Sequence, residues 1–158
     1  MLHYPGSQVT TMIELNEIQM LLIEDDPNDV ELMQISLHKC SPLTKVFVVR
    51  DGVEALDFIY GRGAYAQRKL NYNLKVIMLD LKLPRMDGFD VLRDMKSNDF
   101  TKTVPVVVLS SSQEEHDILK CYQLGANSYL VKPGNFNEYV QMVSELEHYW
   151  LILNKTVQ

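Results

Sequence analysis

The chain of 158 residues is poor in cysteine, in basic clusters and in long apolar runs. Its two cysteines, Cys40 and Cys121, lie far apart among apolar neighbours, which argues against a disulfide or a cysteine-ligated metal. The net charge of -6 and the lack of clustered lysine and arginine argue against nucleic-acid binding. No apolar run approaches the ~18 residues of a membrane span, and no secretory signal opens the chain. We therefore expect a cytoplasmic protein with reduced thiols.

The chain does contain enough apolar side chains for one sizeable core, since 46% of its residues are hydrophobic. One domain is expected at this length. Residues 1–17 contain Pro5-Gly6-Ser7 and no sustained period, which predicts a flexible leader without folded elements. We predict a folded domain over residues 18–154 and a short tail over residues 155–158.

Five short apolar runs alternate with five helical patterns. The predicted strands are Met20–Ile23, Val46–Val49, Val76–Leu79, residues 106–109 and residues 129–131. The predicted helices begin near residues 27, 53, 88, 113 and 135, and the last continues to residue 153. This alternation predicts a doubly wound α/β fold, with a parallel sheet and helices on both faces. Residues 61–73 lack apolar periodicity, which indicates an extended surface loop.

Polar residues stand just past the ends of four predicted strands. They are Glu24, Asp25 and Asp26 after the first strand, Asp80 after the third, Ser110 after the fourth and Lys132 after the fifth. Parallel strands bring their carboxyl ends to one edge of the sheet, where open α/β sheets bind ligands. We therefore expect these side chains to form one site.

The acidic members of this set favour a magnesium site. Carboxylates held together repel one another, and Mg2+ accepts one or two of them with waters and a phosphate oxygen. Asp25 and Asp80 are candidates for direct ligands, with Glu24 acting through a water. The alternative is that residues 24–26 only begin the next helix, where acidic groups suit the positive end of the helix dipole.

With a metal ion beside it, a carboxylate oxygen of Asp80 can attack phosphorus and become an aspartyl phosphate. Transfer of a phosphoryl group requires positioning and charge neutralisation. Lys132 and the Ser110 hydroxyl are candidates for these tasks. The alternatives are a solvated surface lysine and a serine that caps a helix.

Seven short motifs occur in one order and cover about residues 19–153. They are Leu21-Leu-Ile-Glu-Asp-Asp26, Met78-Leu-Asp80, Leu83-Pro84, Asp87-Gly88, Leu109-Ser110, Gly125-Ala126 and Lys132-Pro133. Together they resemble the receiver domain of two-component response regulators. The resemblance implies a flavodoxin-like fold with strand order 2-1-3-4-5. It also implies that Asp80 accepts a phosphoryl group from the phosphohistidine of a sensor histidine kinase.

The resemblance further implies a role for each polar residue of the site. Mg2+ would be held by Glu24 and Asp25 as the acidic pair, by Asp80 and by the backbone carbonyl of Lys82. Lys132 would bind the phosphate, Ser110 would be the switch hydroxyl and Tyr129 the switch aromatic. The Lys132-Pro133 bond would be cis. Residues 82 and 112 occupy positions that tune phosphate hydrolysis in this family.

Three further features are similar to the single-domain regulators paired with bacterial phytochromes. These features are the loop after Tyr60-Gly-Arg-Gly63, the run of serines from Ser110 to Ser112, and Tyr149-Trp-Leu151 near the C-terminus. The resemblance therefore makes a phytochrome-type histidine kinase a possible partner.

The end of the chain indicates how a signal would leave the domain. Because no output domain follows residue 153, we expect the output to be binding to another protein, whose identity the sequence does not reveal. The last helix carries an apolar stripe of Phe136, Tyr139, Val140, Val143, Leu146, Trp150 and Leu153. Core packing accounts for the stripe up to Leu146. Beyond it apolar side chains surround the helix, which predicts a homodimer through the face of the fourth helix, fifth strand and fifth helix.

Two rival functions are compatible with parts of this pattern. One is a magnesium-dependent phosphohydrolase with Asp80 as a transient nucleophile. Phosphatases similar to haloacid dehalogenases place an aspartate two residues after the nucleophile, where this chain has Lys82. The other rival is an adaptor that binds partners without being phosphorylated. We expect a phosphoacceptor signalling domain rather than an enzyme.

Overall fold

The computed structural model describes residues 12–69 and 73–156. Its strands are β1 (Met20–Ile23), β2 (Val46–Val49), β3 (Val76–Leu79), β4 (Val106–Ser110) and β5 (Ser128–Val131). They form one sheet in the order β2-β1-β3-β4-β5, and every neighbouring pair is parallel. The predicted fold class and strand order are therefore confirmed. β1 to β4 are buried along their whole length, because apolar side chains alternate toward helices on both faces.

Six α-helices surround the sheet in the described residues. They are α1 (Met12–Asn16), α2 (Pro27–Cys40), α3 (Gly52–Tyr60), α4 (Gly88–Lys96), α5 (Glu115–Gln123) and α6 (Phe136–Glu147). The side chains of Asp26, Asp51, Asp87 and Asn135 accept hydrogen bonds from the first turns of α2, α3, α4 and α6. Gly61 ends α3 in the left-handed conformation. Among the residues described, no helix has both the length and the apolar character to cross a membrane.

Two hydrophobic cores lie on opposite faces of the sheet. Leu21 and Ile23 of β1 face the core formed with α3, α4 and α5. Met20 and Leu22 of the same strand face the core formed with α2 and α6. The helices thus cover both faces and leave the carboxyl edge of the strands open for the polar residues that follow them.

The leader predicted over residues 1–17 is wrong for its final part. Residues 12–16 form α1, and Leu15 and the following Ile18 are buried in the core of α3, α4 and α5. A helix of five residues is too short to show a sequence period, so only its tertiary contacts stabilise it. Residues 1–11 lie outside the described part of the chain.

The segment predicted as an extended surface loop, residues 61–73, is partly packed. Gly63–Tyr65 form a 3-10 helix, and the Tyr65 ring meets Phe47 and Phe58 edge to face at centroid distances of 5.8 and 5.2 Å. The guanidinium of Arg68 lies 4.0 Å from the centroid of the Phe58 ring and is 5% exposed. Burial lowers the pKa of Arg68 to about 10. Such contacts follow no sequence period, so periodicity did not predict them.

Two further predictions about the C-terminal half are wrong. The helix predicted to reach residue 153 changes at His148–Leu153 into a π-helix, which buries Leu151 and exposes Leu153. A π-helix advances each residue by a smaller angle, so the apolar stripe loses its phase. The Lys132-Pro133 bond is trans, the form that X-Pro bonds modestly prefer.

Candidate functional site

Backbone hydrogen bonds to neighbouring strands hold three polar residues at the carboxyl edge of the sheet. The amide of Glu24 donates to the carbonyl of Val49 at 3.0 Å, and the amide of Asp80 donates to Ile23 at 3.0 Å. The amide of Lys132 donates to the carbonyl of Ser110 at 2.8 Å. Each residue is therefore the last one tied to the sheet before its chain turns into a loop.

The acidic residues form one cluster. Carboxylate oxygens of Glu24, Asp25 and Asp80 all lie within 4.8 Å of one another. Glu24 is 3% exposed and Asp80 is 9% exposed, whereas Asp25 is exposed. An all-oxygen donor set with one open side suits Mg2+, which retains waters and accepts a phosphate oxygen. The residues present therefore fit a hard divalent cation.

Lys132 points its ammonium group into this cluster. Its Nζ lies 2.8 Å from Glu24 Oε1, 2.8 Å from Asp29 Oδ2 and 3.8 Å from Asp80 Oδ1. Burial by itself would lower the pKa of Lys132, but hydrogen bonds to Asp29 and Glu24 and the charge of Asp80 raise it above the ordinary value. The side chain is therefore cationic and held, so the alternative of a solvated surface lysine is wrong.

The site still has more acidic than basic groups, because Glu24, Asp29 and Asp80 surround the Lys132 ammonium and Asp25 lies beside Glu24 and Asp80. Burial is the main cause that raises the pKa of Glu24, and the nearby charge of Asp80 adds to it. The hydrogen bond from Lys132 opposes the shift, and the pKa comes to about 8. A group of this kind binds a proton near neutral pH unless a cation replaces it.

A cleft of about 430 Å³ opens beside the cluster. Its polar lining comes from Asp25, Lys82, Asp87, Ser110, Ser112 and Asp117. Ser110 is 1% exposed, while Lys82 is exposed at the cleft wall. The structure thus brings Lys82 and Ser110 to the same cleft as the acidic cluster.

The β3–α4 loop packs closely against the backbone of Asp80. A Cβ atom on Gly88 would lie 2.4 Å from the carbonyl oxygen of Asp80 and 2.7 Å from Cα of Leu81. The Gly88 amide also donates to the carbonyl of Leu81 at 2.9 Å. Only glycine permits this approach, which fixes the position of Asp80 relative to α4.

Ser110 and Tyr129 are connected through Ser112. Ser110 Oγ accepts a hydrogen bond from the Ser112 amide at 3.1 Å. The Tyr129 hydroxyl donates to the Ser112 carbonyl at 2.9 Å. Tyr129 therefore does not join the acidic cluster directly, and its link to the site runs through the loop after β4.

The sequence left open that residues 24–26 only begin a helix and that Ser110 only caps one. The helix-start interpretation holds for Asp26, whose carboxylate accepts a hydrogen bond from the amide of Asn28. It does not hold for Glu24, whose carboxylate contacts Lys132. Ser110 does not cap α5, which begins only at Glu115.

Sequence reasoning missed two acidic residues of the site. Asp29 lies in the first turn of α2 and binds Lys132 at 2.8 Å. Asp117 lies in the first turn of α5 and accepts a hydrogen bond from Ser112 Oγ at 2.6 Å. Both belong to helices that start at the carboxyl edge of the sheet, and this position was the available signal.

Comparison with known proteins finds that the chain is similar to response regulators. Residues 20–144 match the family model for the response regulator receiver domain. The chain is 38% identical over 132 residues to the response regulator Rcp1 of Synechocystis sp., covering 84% of this chain and 88% of Rcp1. The crystal structure of the phosphorylated cyanobacterial phytochrome response regulator RcpA has a TM-score of 0.83 at 36% identity, covering 90% of this chain and 99% of RcpA.

Two similar solved structures contain a divalent metal ion. The Mn2+-bound form of Rcp1 has a TM-score of 0.80 at 34% identity, covering 88% of this chain and 98% of that one. The receiver domain of the sensor histidine kinase PA1611 from Pseudomonas aeruginosa has magnesium coordinated in its active-site cleft. Its TM-score is 0.62 at 26% identity, covering 84% of this chain and 96% of that one. From its fold, the polar edge of its sheet and these similarities, we conclude that the chain belongs to the response regulator receiver domain family.

Proposed function

We propose that this response regulator accepts a phosphoryl group on Asp80 from the phosphohistidine of a sensor histidine kinase and requires Mg2+ to do so. One observation carries the proposal. Glu24, Asp25 and Asp80 hold their carboxylates within 4.8 Å of one another, with the Lys132 ammonium 3.8 Å from Asp80. Oxygen ligands for a metal, a nucleophile and a fixed cation are thus adjacent.

In the proposed transfer, a carboxylate oxygen of Asp80 forms a bond to phosphorus as the bond from phosphorus to the histidine nitrogen breaks. The electron pair of that bond stays on the imidazole. Glu24, Asp25 and Asp80 would hold a divalent cation, which would offset part of their negative charge and part of the charge on the phosphoryl group. The backbone carbonyl of Lys82 is the further ligand that we propose.

Lys132 is proposed to bind a second phosphoryl oxygen. Its ammonium is held by Glu24 and Asp29 and lies near Asp80. A short movement would bring the ammonium to the phosphoryl group. There it would form a charge-assisted hydrogen bond, which is stronger than a neutral one. A bound metal ion would then replace Lys132 as the positively charged partner of Glu24.

Ser110 is proposed to donate the remaining hydrogen bond to the phosphoryl group. Its Oγ accepts from the Ser112 amide. Within the residues described, no acceptor is seen for its hydroxyl proton. The proton is thus available to a phosphoryl oxygen, while Tyr129 would respond through its bond to Ser112.

The activity that we propose is signalling rather than catalytic turnover. Lys82 stands two residues after the acceptor, where a phosphohydrolase of the kind considered above needs an aspartate, and it is exposed at the cleft wall. The observed site therefore does not favour that rival. We propose that the chain acts on no substrate besides its own phosphoryl group.

We propose a phytochrome-type histidine kinase as the phosphoryl donor, on the basis of similarity to the phytochrome response regulator RcpA. We also propose a homodimer through the face formed by α5, β5 and α6. Exposed apolar side chains support this proposal, and they are Leu119 and Tyr122 of α5, Val131 of β5, and Tyr149 and Ile152 of the π-helix that follows α6. A further protein would read the phosphorylated state.

Intact-protein mass spectrometry after incubation with Mg2+ and acetyl phosphate tests the proposal. We expect one phosphate adduct on the natural protein and none on Asp80→Asn. Asp99→Asn is the matched control, because Asp99 is exposed and bonded only to nearby Lys102 within the described structure. An adduct on Asp80→Asn, or none on the folded natural protein, would contradict the proposal. Light scattering on the same samples tests dimerisation.

A further inference from the structure

Ser112 uses every polar group that it has. Its amide donates to Ser110 Oγ at 3.1 Å, and its carbonyl accepts from the Tyr129 hydroxyl at 2.9 Å. Its hydroxyl donates to Asp117 Oδ2 at 2.6 Å and accepts from the Glu114 amide at 3.2 Å. One small residue is therefore bonded to four others, on three different elements of the fold.

These four bonds join the phosphorylation site to the surface that we propose for output. Ser110 lies in the cleft beside the acidic cluster. Asp117 belongs to the first turn of α5, the helix that exposes Leu119 and Tyr122. Two of the bonds use the backbone of Ser112 and therefore survive most substitutions, whereas the two bonds to α5 and its N-terminal flank depend on the hydroxyl.

We propose that Ser112 is the positioning residue that transmits phosphorylation to α5, and that its hydroxyl bond to Asp117 carries the movement. This inference rests on the proposed function. When Ser110 turns toward a phosphoryl oxygen, its Oγ draws the Ser112 amide with it. A hydrogen bond of 3.1 Å is lost after a displacement of roughly 0.5 Å, so the loop must follow or the bond breaks.

The Asp117 carboxylate makes α5 follow the loop. The 2.6 Å bond from Ser112 Oγ is short, as expected when the acceptor is charged. Glu114, which immediately precedes α5, makes no capping bond with its own side chain. Ser112 is thus the side chain that anchors the start of this helix, and a shift of the loop pulls on the first turn.

A purely structural role would have a different signature. If Ser112 only stabilised the N-terminus of α5, removing its hydroxyl would loosen the helix equally with and without phosphate. If Ser112 transmits the signal, the removal abolishes the difference between the two states. The response to phosphorylation therefore separates the two roles, whereas stability alone does not.

The experiment measures amide hydrogen exchange in residues 113–123, with and without acetyl phosphate and Mg2+. Because a fragment spanning residues 113–123 lacks Asp80, the phosphorylated fraction of each sample is measured by intact mass, and exchange is compared between samples of equal phosphorylation. In the natural protein we expect phosphorylation to change exchange at the start of α5 by roughly fivefold, the effect of one hydrogen bond. In phosphorylated Ser112→Ala we expect that change to disappear. Ser112→Thr keeps the hydroxyl and is expected to restore it.

Matched variants divide the contribution of Asp117 into geometry and charge. Asp117→Asn keeps an acceptor for the Ser112 hydroxyl, and we expect it to respond to phosphate. Asp117→Ala removes the acceptor, and we expect no response. Glu115→Ala removes another first-turn charge from α5 without contacting Ser112 in the described structure, and Ser111→Ala removes an exposed neighbouring hydroxyl. Both controls are expected to respond like the natural protein.

The inference is overturned if phosphorylated Ser112→Ala shows the full change in exchange at the start of α5. It is also overturned if both control variants, Glu115→Ala and Ser111→Ala, lose that change. If the natural protein takes up no phosphate, the proposed function itself fails, and this inference fails with it. Phosphate on the natural protein without any change in α5 refutes the transmission by Ser112 but leaves the proposed function standing.

Discussion

Replacing Gly88 by alanine would place a methyl group inside the backbone that carries the phosphoacceptor. The new Cβ would lie 2.4 Å from the carbonyl oxygen of Asp80 and 2.7 Å from Cα of Leu81, where a relaxed contact needs at least 3.4 Å. Both obstacles are main-chain atoms, so neither can turn aside as the end of a side chain can. Either α4 or the segment after β3 must move.

The magnitude follows from two opposing effects. Overpacking of this kind costs about 3 kcal/mol, the upper part of the usual range, because only backbone can yield. Alanine in place of glycine within a helix returns roughly 0.5–1 kcal/mol. The net loss is about 2 kcal/mol, which lowers Tm by roughly 4–8 °C in a domain of this size.

Urea unfolding and thermal melting measure this loss, and Gly134→Ala is the matched control. A Cβ atom on Gly134 would meet no atom within 4 Å, so that variant should melt within about 1 °C of the natural protein. We further expect Gly88→Ala to bind Mg2+ more weakly, because the displaced backbone carries Asp80. A Gly88→Ala protein as stable as Gly134→Ala would refute the close approach described here.

The remaining predictions concern the charges of the site. Lys132→Met leaves the carboxylates around it without their cation, so we expect the free energy of unfolding without metal to fall by about 1–3 kcal/mol. We also expect Mg2+ to raise the Tm of this variant more than it raises the Tm of the natural protein, as measured by melting with and without Mg2+. An equal rise in Tm for the two proteins would contradict this prediction. Mg2+ affinity, measured by calorimetry, should rise with pH up to about 8 and then level off, because the raised pKa of Glu24 makes metal compete with a proton below that value. The folded protein without metal also loses stability as the pH rises from the ordinary glutamate pKa to about 8, because over this range folded Glu24 keeps a proton that the unfolded chain has released. A flat profile between pH 6 and 8 would exclude the raised pKa.

The sheet was accessible from the sequence because its strands are fully buried. The bounds of Met20–Ile23, Val46–Val49 and Val76–Leu79 agree with the predicted strands. A strand covered on both faces shows an unbroken apolar run, and charged or turn residues interrupt the run at its ends. The alternation with helices then leaves few ways to arrange five parallel strands.

The less regular parts were not accessible, and each failed for a physical reason. α1 is too short for a period, and Leu15 reveals its burial only through the core that it joins. Tyr65 and Arg68 pack on Phe58 from an irregular segment. The π-helix of His148–Leu153 shifts the phase of the side chains, so Leu151 is buried and Leu153, which lies on the extrapolated stripe, is exposed.

The candidate site divides in the same way. The order of residues along the chain determined that Glu24, Asp25, Asp80, Ser110 and Lys132 share one edge, because parallel strands must end on the same side. Residue types at that edge already pointed to metal and phosphoryl chemistry. The first turn of α2 already placed Asp29 near this edge, but only the structure shows that its carboxylate binds Lys132 at 2.8 Å.

Only the tertiary structure decided the distances and the shared partners. It placed the Lys132 ammonium between three carboxylates, raised the pKa of Glu24 by burying it beside Asp80, and bonded Ser112 to elements on either side of it. Side-chain directions in loops depend on contacts between segments remote in sequence, whereas strands and helices follow local periodicity. The sequence therefore determined which groups meet at the edge of the sheet, and the packing of the loops decided how they act on one another.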